Sequence, residues 1–289
     1  MLNKALSAPP PTNQKPEISV LLAVYNTNHQ FLKECIDSIL NQSFTNFELL
    51  IMDDASTNNI EEVIKKYDDK RIKYFKSNEN LGITKTRNSL LKLAEGKYIA
   101  IADHDDISYP ERLEKEYNFL ENNQNISVVS SWIECFPKHK IMKKIQFPRY
   151  IDFLEGCACF HPACMWRKAD FEKFDLTYQD GYCGAQDYAI FAKAIKYLNF
   201  ANIQEPLLKY RKHETNVSKN KKMMAVETEK IQQEMLEFLT NDPKKAAYLT
   251  EKFLCPQNNF LQNIFSCKNY GSKKFINILG LKIKIQKYK

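Results

Sequence analysis

Tryptophan and glycine are scarce in this chain, at two and seven residues of 289, and proline is limited to 11. Those counts exclude a collagen-like or low-complexity sequence, and 44% hydrophobic with 27% charged residues excludes a largely disordered one. No run approaches the ~18 nearly uncharged apolar residues of a membrane-spanning helix, and the opening MLNKALSAPPPTNQKPE lacks the apolar core of an export signal. The expectation is a cytoplasmic protein, in which eight cysteines read as free thiols rather than a disulfide framework. Two phosphate-binding motifs are also missing. There is no GxxxxGKS/T, and AVYNTNHQ follows the first apolar run where a dinucleotide fold would place GxGxxG. A phosphate-bearing ligand must then be met by a metal ion, Arg or Lys rather than by a glycine nest.

Positive charge is in excess, 42 Lys and Arg against 35 Asp and Glu, but it is not evenly spread. From Phe253 to Lys289 there are seven Lys and no acid, which accounts for the whole net charge of +7. A nucleic-acid enzyme would carry basic residues along its binding face, so no nucleic-acid partner is expected. In LGLKIKIQKYK, Leu and Ile alternate with Lys. One reading is a tail resting on an anionic membrane, each nearby Lys contributing about 1 kcal/mol at best. That reading makes the protein peripheral on the cytoplasmic face of the inner membrane. The other is a solvated tail, or an edge strand with Lys on its outer face.

The length suits one large domain with an attachment. Residues 1–16, with APPPTNQKP, read as a flexible lead-in. Ile18 to Val24 is a short apolar run of the kind found in strands covered on both faces. Phe31, Leu32, Cys35, Ile36, Ile39 and Leu40 then recur at helical spacing. Phe47 to Met52 predicts a second strand ending at Asp53-Asp54, followed by a helix with Ile60, Val63, Ile64 and Tyr67 inward. Arg71 to Phe75 is a third strand. Asn80-Leu81-Gly82 leads into a helix from about Thr84 to Ala94, closed by Gly96, and Tyr98 to Ala102 is a fourth strand. Pro110 suits the first position of a helix through Leu120, and Ile126 to Trp132 another strand. Four strand–helix repeats predict a doubly wound α/β sheet whose ligand edge lies at the strand C-termini. Later, 136–155 reads as a loop-rich basic connection, 186–197 and 223–239 as helices, and Pro206 to Tyr210 as a short strand.

Asp53-Asp54 and Asp103-x-Asp105-Asp106 each follow a buried-type run, so a parallel sheet brings both to one edge. Carboxylates gathered there without counter-charge repel one another and lose solvation, at a cost of about several kcal/mol. A divalent cation removes that cost, since Mg²⁺ or Mn²⁺ is held by one or two carboxylates and completes its shell with phosphates and water. The bland alternative is that these acids cap helices and loops.

The pieces ISVLLAVYN (18–26), SILNQSFTNFELLIMDDAST (38–57), NLGITKTRN (80–88), GKYIAIADHDDISYPERL (96–113), AQDY (185–188) and YRKHETNVS (210–218) span about 200 of 289 residues. In order and spacing they resemble the inverting glycosyltransferases of family 2, and particularly bacterial enzymes that extend lipooligosaccharide or capsule glycans. The resemblance implies a GT-A fold, a doubly wound, mostly parallel Rossmann-like sheet flanked by helices. A catalytic domain would occupy 17–220, with 17–115 binding the nucleotide sugar and 116–220 the acceptor. Residues 221–289 would be a C-terminal helical extension and basic tail. The cofactor implied is Mn²⁺ or Mg²⁺, the donor a UDP-sugar, and the acceptor a glycan or glycolipid.

Residue by residue, the resemblance implies that Val24, Tyr25 and Asn26 line the nucleotide pocket. Asp53 or Asp54 accepts from the base, Asp54 being favoured for direct contact. Arg87 reaches toward the diphosphate. Asp103 and Asp105 form the DxD motif around His104, Asp103 toward ribose and metal, Asp105 a direct metal ligand. Arg112 either holds this loop by a salt bridge or touches ligand. Arg211 and His213 sit on a loop closing over the phosphates, His213 as a further metal or phosphate contact. Asp187 is the catalytic base, and Gln186 stands before it where the family usually carries Glu. Trp132 and Gln186 belong to the acceptor side, Trp132 as a sugar platform or a core residue.

One carboxylate suffices for inversion, because it takes the acceptor hydroxyl's proton while the nucleoside diphosphate leaves from the opposite face. A glycoside hydrolase needs a flanking carboxylate pair with one member protonated, which leaves the DxD placement unexplained. A degenerate, glycan-binding scaffold subunit is the non-enzyme alternative. Cys157, Cys159, His161 and Cys164 form CxCxHxxC, but no second half-site follows, and buried thiols are the better account. Trp166 reads as part of a buried strand.

Overall fold

The computed structural model describes residues 15–214, 216 and 220–250, and the backbone of 266–270, 273–278 and 281–286. The predicted lead-in therefore lies almost wholly outside the described residues. The chain divides into two compact units, Met1–Met224 and Ala225–Lys289.

The first unit opens with β1 (Ile18–Val24), α1 (His29–Leu40), β2 (Phe47–Asp53), α2 (Ile60–Ile64), β3 (Ile72–Lys76), α3 (Ile83–Leu93) and β4 (Tyr98–Asp103). Then come β5 (Ile107–Ser108), α4 (Arg112–Asn122), β6 (Val128–Phe136), β7 (Lys140–Met142) and α5 (Tyr150–Leu154). A 3₁₀ turn at His161–Ala163 precedes β8 (Met165–Arg167), α6 (Lys168–Lys173), α7 (Gln186–Ala194) and β9 (Phe200–Arg211). β1 and β2 are buried at every position, which is why their sequences lack polar alternation. α1 starts where Asn28 Oδ1 accepts from Gln30 N and Phe31 N, at 2.9 and 3.2 Å, an N-cap that satisfies two otherwise orphaned donors. Its inner face buries Leu32, Cys35, Ile36 and Ile39.

The strands form one mixed sheet in the order β3-β2-β1-β4-β8-β6-β9-β5, with β7 on β6. β3, β2, β1 and β4 run parallel, as do β6 and β9. β8 is a three-residue strand, antiparallel to both β4 and β6. The buried strand predicted around Trp166 is thus the sheet's central seam. Trp166 is fully buried and stacks on Phe171, with ring centroids 4.8 Å apart.

Several local readings are corrected. α4 begins at Arg112, not Pro110, because Tyr109 N is still bonded to Leu207 O at 2.9 Å while the Pro110 carbonyl accepts from Ser43 N. α3 ends at Leu93 with Ala94 as its cap, so Gly96 is no helix terminator. A Cβ there would meet Ser19 N at 2.5 Å; glycine is needed for the close approach of this turn to β1. β9 is 12 residues long and starts at Phe200, well before the predicted Pro206. Its register on β6 shifts on either side of Trp132, which is paired with Pro206; the irregularity accommodates a proline that cannot donate to the ladder.

Within the second unit, α9 (Pro243–Leu249) follows α8 (Lys221–Thr240), which begins in the first unit. The backbone then forms an antiparallel sheet of β10 (Ser266–Tyr270), β11 (Lys273–Ile278) and β12 (Leu281–Gln286). α8 and α9 lie where a helical extension was expected, and the backbone of the basic segment after them is extended, as in the strand alternative for that tail. KIKI has the two-residue period of a strand, and Ile276 pairs with Ile283 and Ile278 with Leu281.

Candidate active site

A cleft of about 640 Å³ opens at the C-terminal ends of β1 and β4. The parallel register aligns Val24 with Asp53 and Ala23 with Asp103, so both acidic clusters emerge at one edge of the sheet. Asn26 turns the chain away from β1 with φ 45°, a left-handed conformation that Asn tolerates better than most residues. Its Oδ1 accepts from Thr57 N and Thr57 Oγ1, at 2.9 and 3.1 Å, and its own N–H donates to Ser56 Oγ. Tyr25, 49% exposed, stands at the rim. Of the Asp53–Asp54 pair, only Asp54 lines the cleft. Its two oxygens accept from Leu81 N at 2.8 Å and Gly82 N at 2.9 Å, fixing the NLG turn that starts α3. Asp53 is fully buried and accepts from Ser56 N and Tyr74 Oη, both at 2.8 Å.

α3 supplies the middle of the site. Arg87 Nη2 donates to Asp103 Oδ1 at 2.8 Å, and Nη1 donates to the Gln186 amide oxygen at 3.0 Å. The Gln186 nitrogen in turn faces the Cys183 and Gly184 carbonyls at 3.0 and 3.3 Å. A carboxylate at 186 would put acceptor against acceptor there, a physical reason for Gln in place of the family's usual Glu. Asn88 exchanges both amide hydrogen bonds with the backbone of Tyr178, at 2.8 and 2.9 Å, and Thr84 Oγ1 donates to Tyr182 O. One face of α3 thus anchors the 178–186 loop that delivers Asp187.

Asp187 lines the same cleft in the first turn of α7. Burial pushes its carboxyl above the ordinary value of 3.8; the Tyr188 N–H and Arg87 pull it down, and Asp103 pushes it up. His161, also on the wall, is held neutral by burial and by Arg87 and Arg112, and its Nε2 lies 2.7 Å from Tyr178 Oη.

Asp105 Oδ2 lies 2.6 Å from His213 Nε2 and 3.3 Å from Asn216 Nδ2. Among the described residues no group of three or more His, Cys, Asp or Glu side chains is arranged to hold a metal. In the cleft, Asp105 oxygen and His213 nitrogen lie side by side, while the Asp103 carboxylate accepts from Arg87. That sparse oxygen-and-nitrogen set fits a Mn²⁺- or Mg²⁺-type ion completed by diphosphate and water. Arg211 lies behind it. Its N–H donates to Asp106 Oδ1 at 2.8 Å and its Nε to Asp105 O at 2.7 Å, and it pairs with Glu34. The guanidinium is sandwiched between Phe31 and Phe136, 4.2 and 4.5 Å from the ring centroids.

The cleft thus gathers Val24, Tyr25, Asn26, Asp54, Arg87, Asp103, His104, Asp105, Gln186, Asp187 and His213. Asp53, Arg211 and Trp132 are not among its lining residues. Trp132 instead donates its indole N–H to Lys144 O and is covered by Lys143, 4.5 Å from the ring centroid. Arg112 is buried against Glu116, Ser108 and the Ile101 carbonyl, so it holds the loop. Phe31, His161 and Asn216 line the cleft without having been assigned from sequence. Asn216 lay within YRKHETNVS, three residues from His213, and was the most legible of them. Cys157, Cys159 and Cys164 are free thiols.

Comparison with known proteins agrees with this architecture. The Glycosyl transferase family 2 model matches residues 19–197. An uncharacterized glycosyltransferase of Methanocaldococcus jannaschii is 36% identical over 208 residues, 68% of this chain and 71% of that protein. A second, from Haemophilus influenzae, is 30% identical over 221 residues, 70% of this chain and 68% of its own. Among solved structures, S. aureus TarS in complex with UDP-GlcNAc superposes with TM-score 0.64 at 19% identity, covering 83% of this chain and 77% of that one. The mannosyltransferase PcManGT from Pyrobaculum calidifontis, in complex with GDP-Man and Mn²⁺, superposes with TM-score 0.57 at 18% identity, covering 86% and 72%. The α/β sheet with its flanking helices is the GT-A fold of such enzymes, and the chain belongs to glycosyltransferase family 2.

Proposed function

We propose that this protein is a metal-dependent, inverting glycosyltransferase that moves a hexose or N-acetylhexosamine from a UDP-sugar to a lipooligosaccharide, capsule or other surface glycan. The observation that carries the reading is a single cleft lined by Asp54, by Asp105 with His213, and by Asp187. Nucleotide sugars in the TarS and PcManGT structures support the donor class.

Val24, Tyr25, Asn26 and Asp54 form the nucleotide end, Asp54 acting through the turn it fixes as well as by direct contact. Asp103, Asp105 and His213 would hold Mn²⁺ or Mg²⁺, which when bound neutralises charge growing on the departing diphosphate. Arg87 adds a fixed positive charge beside Asp103 that costs no reorganisation during the reaction. Asp187 takes the proton of the acceptor hydroxyl, and its burial makes it a stronger base than a solvated Asp. No second acid is required, because the leaving group departs as an anion.

None of the described helices is long and apolar enough to cross a membrane. The basic segment after Phe253 supports a place at the cytoplasmic face of a membrane, where a glycolipid acceptor would be found. The test is a thermal-shift screen of UDP-, GDP- and CDP-sugars with Mn²⁺ or Mg²⁺, followed by anomeric analysis of the product by NMR. Stabilisation by a UDP-sugar and an inverted product are expected. No stabilisation or transfer across the panel would sink the reading.

A further inference from the structure

Between the end of β6 and the start of α5 the chain reads FPKHKIMKKIQFPRY (136–150), with five Lys or Arg and no Asp or Glu. Ile145 and Phe147 are each 52% exposed there, and Met142 37%. Lys138, Lys140 and Lys143 are exposed in the same segment. The backbone that presents these side chains is tied down from behind. Trp132 Nε1 and Gln204 Nε2 donate to the Lys144 carbonyl at 3.1 and 3.2 Å. Asn202 Nδ2 donates to the Ile145 carbonyl, and Asn202 N to the Gln146 carbonyl, both at 2.7 Å. Three successive carbonyls are thus held by β6 and β9 while two large apolar side chains between and beside them remain in water. Lys144 turns inward instead, donating to Cys157 O at 2.6 Å and lying 5.0 Å from the Phe160 ring centroid. Phe160 directly precedes His161 and Pro162 on the cleft wall, so this segment adjoins the cleft.

A fixed backbone, protruding aliphatic and aromatic side chains, and flanking lysines without acids suit an interface between water and an anionic bilayer. The apolar groups partition below the headgroups while the ammonium groups meet their negative charge. We propose that residues 138–147 form a membrane-docking patch that seats the catalytic unit on an anionic lipid surface, with Ile145 and Phe147 inserted at the headgroup boundary. The patch is a different stretch of sequence from the basic C-terminal segment. It would bring the cleft beside an acceptor embedded in the same surface; that consequence alone rests on the transferase reading, since docking requires no turnover.

The test is cosedimentation of the full-length protein with vesicles of phosphatidylglycerol and phosphatidylcholine in equal parts, and with phosphatidylcholine vesicles alone. Ile145→Ser/Phe147→Ser should lower the partition coefficient onto the mixed vesicles about tenfold, and Lys140→Gln/Lys143→Gln should weaken it and flatten its salt dependence. The thermal midpoint and nucleotide-sugar thermal shift of both variants should match the parent, so failure of docking and failure of the transferase reading remain distinguishable. Equal vesicle binding by Ile145→Ser/Phe147→Ser and the parent would overturn the proposal. So would a change in sedimentation velocity without lipid, accompanied by unaltered vesicle binding, because the patch would then be a contact between copies of the chain.

Discussion

Asp187 is half-buried, where an ionised carboxylate is costly, with a backbone N–H and Arg87 offsetting only part of that cost. A raised folded-state pKa means that the protonated form favours folding; this contribution is present below the unfolded value of about 3.9 and is lost as pH rises through the folded one. Near pH 7 the ionised group is therefore a burden on stability. Asp187→Asn should cut turnover by about 10²-fold or more while leaving the thermal midpoint equal or higher; a lower midpoint would mark the carboxylate as structural. The acid limb of the turnover profile should fall as pH drops through this raised value, above the usual Asp range. Asp105→Ala is the complementary case. It should abolish Mn²⁺-dependent donor binding in calorimetry, and unchanged affinity with Mn²⁺ present would refute the ligand assignment. At this scale the acidic clusters were legible because each follows a run of buried strand residues. The different surroundings of Asp53 and Asp54 became explicit only through Tyr74 and the 81–82 turn, partners that spacing does not announce.

α3 does two things with one face, pairing Arg87 with Asp103 and clamping the loop before α7. Asn88→Ala would leave the Tyr178 backbone N–H and C=O without their partner, at a cost of about 1–3 kcal/mol. For a unit of this size each kcal/mol lowers the thermal midpoint by about 2–4 °C. The loss in kcat should exceed any change in donor KM if the loop delivers Asp187 as the proposed base, because it does not form the nucleotide end of the cleft. α4 offers a pH test that is independent of the cleft. Glu116 is fully buried beside Arg112, and burial lifts its carboxyl to about 7 against the opposing pull of that arginine. Its protonated form supports folding below the ordinary value of 4.5, and this support is lost as pH rises through about 7. Glu116→Gln should therefore gain in midpoint relative to the parent between about pH 5 and about pH 8.5; a pH-independent difference would show that the pair stays ionised throughout. β1, β2, β4 and the face of α1 were readable because burial on both sides, or along one stripe, imposes a period on the chain. The early part of β9 was not, nor was the position of β8 between β4 and β6, since strand pairing across long sequence separations leaves no local signature.

For the whole molecule, the sequence revealed an α/β unit followed by helices and a basic region, and left the latter's backbone open between a solvated tail and an edge strand. Positive charge dominates the eye in LGLKIKIQKYK, yet its alternation is what specifies β12. The order of strands in the first unit also bears on how the chain is made. β4 has β1 on one side and only the brief β8 on the other. As the nascent chain leaves the ribosome, everything through β4 can assemble while one of its edges is still bare, and Met165–Arg167 arrive only after β5, β6 and β7. An uncovered edge is a template for pairing with other chains. A product ending shortly before Met165 should therefore accumulate in the insoluble fraction, whereas one extending past Arg211 closes that edge and should remain dispersed. Ribosomal pausing in the intervening stretch would make the cell's chaperones, rather than the finished sheet, responsible for keeping this enzyme apart from its copies.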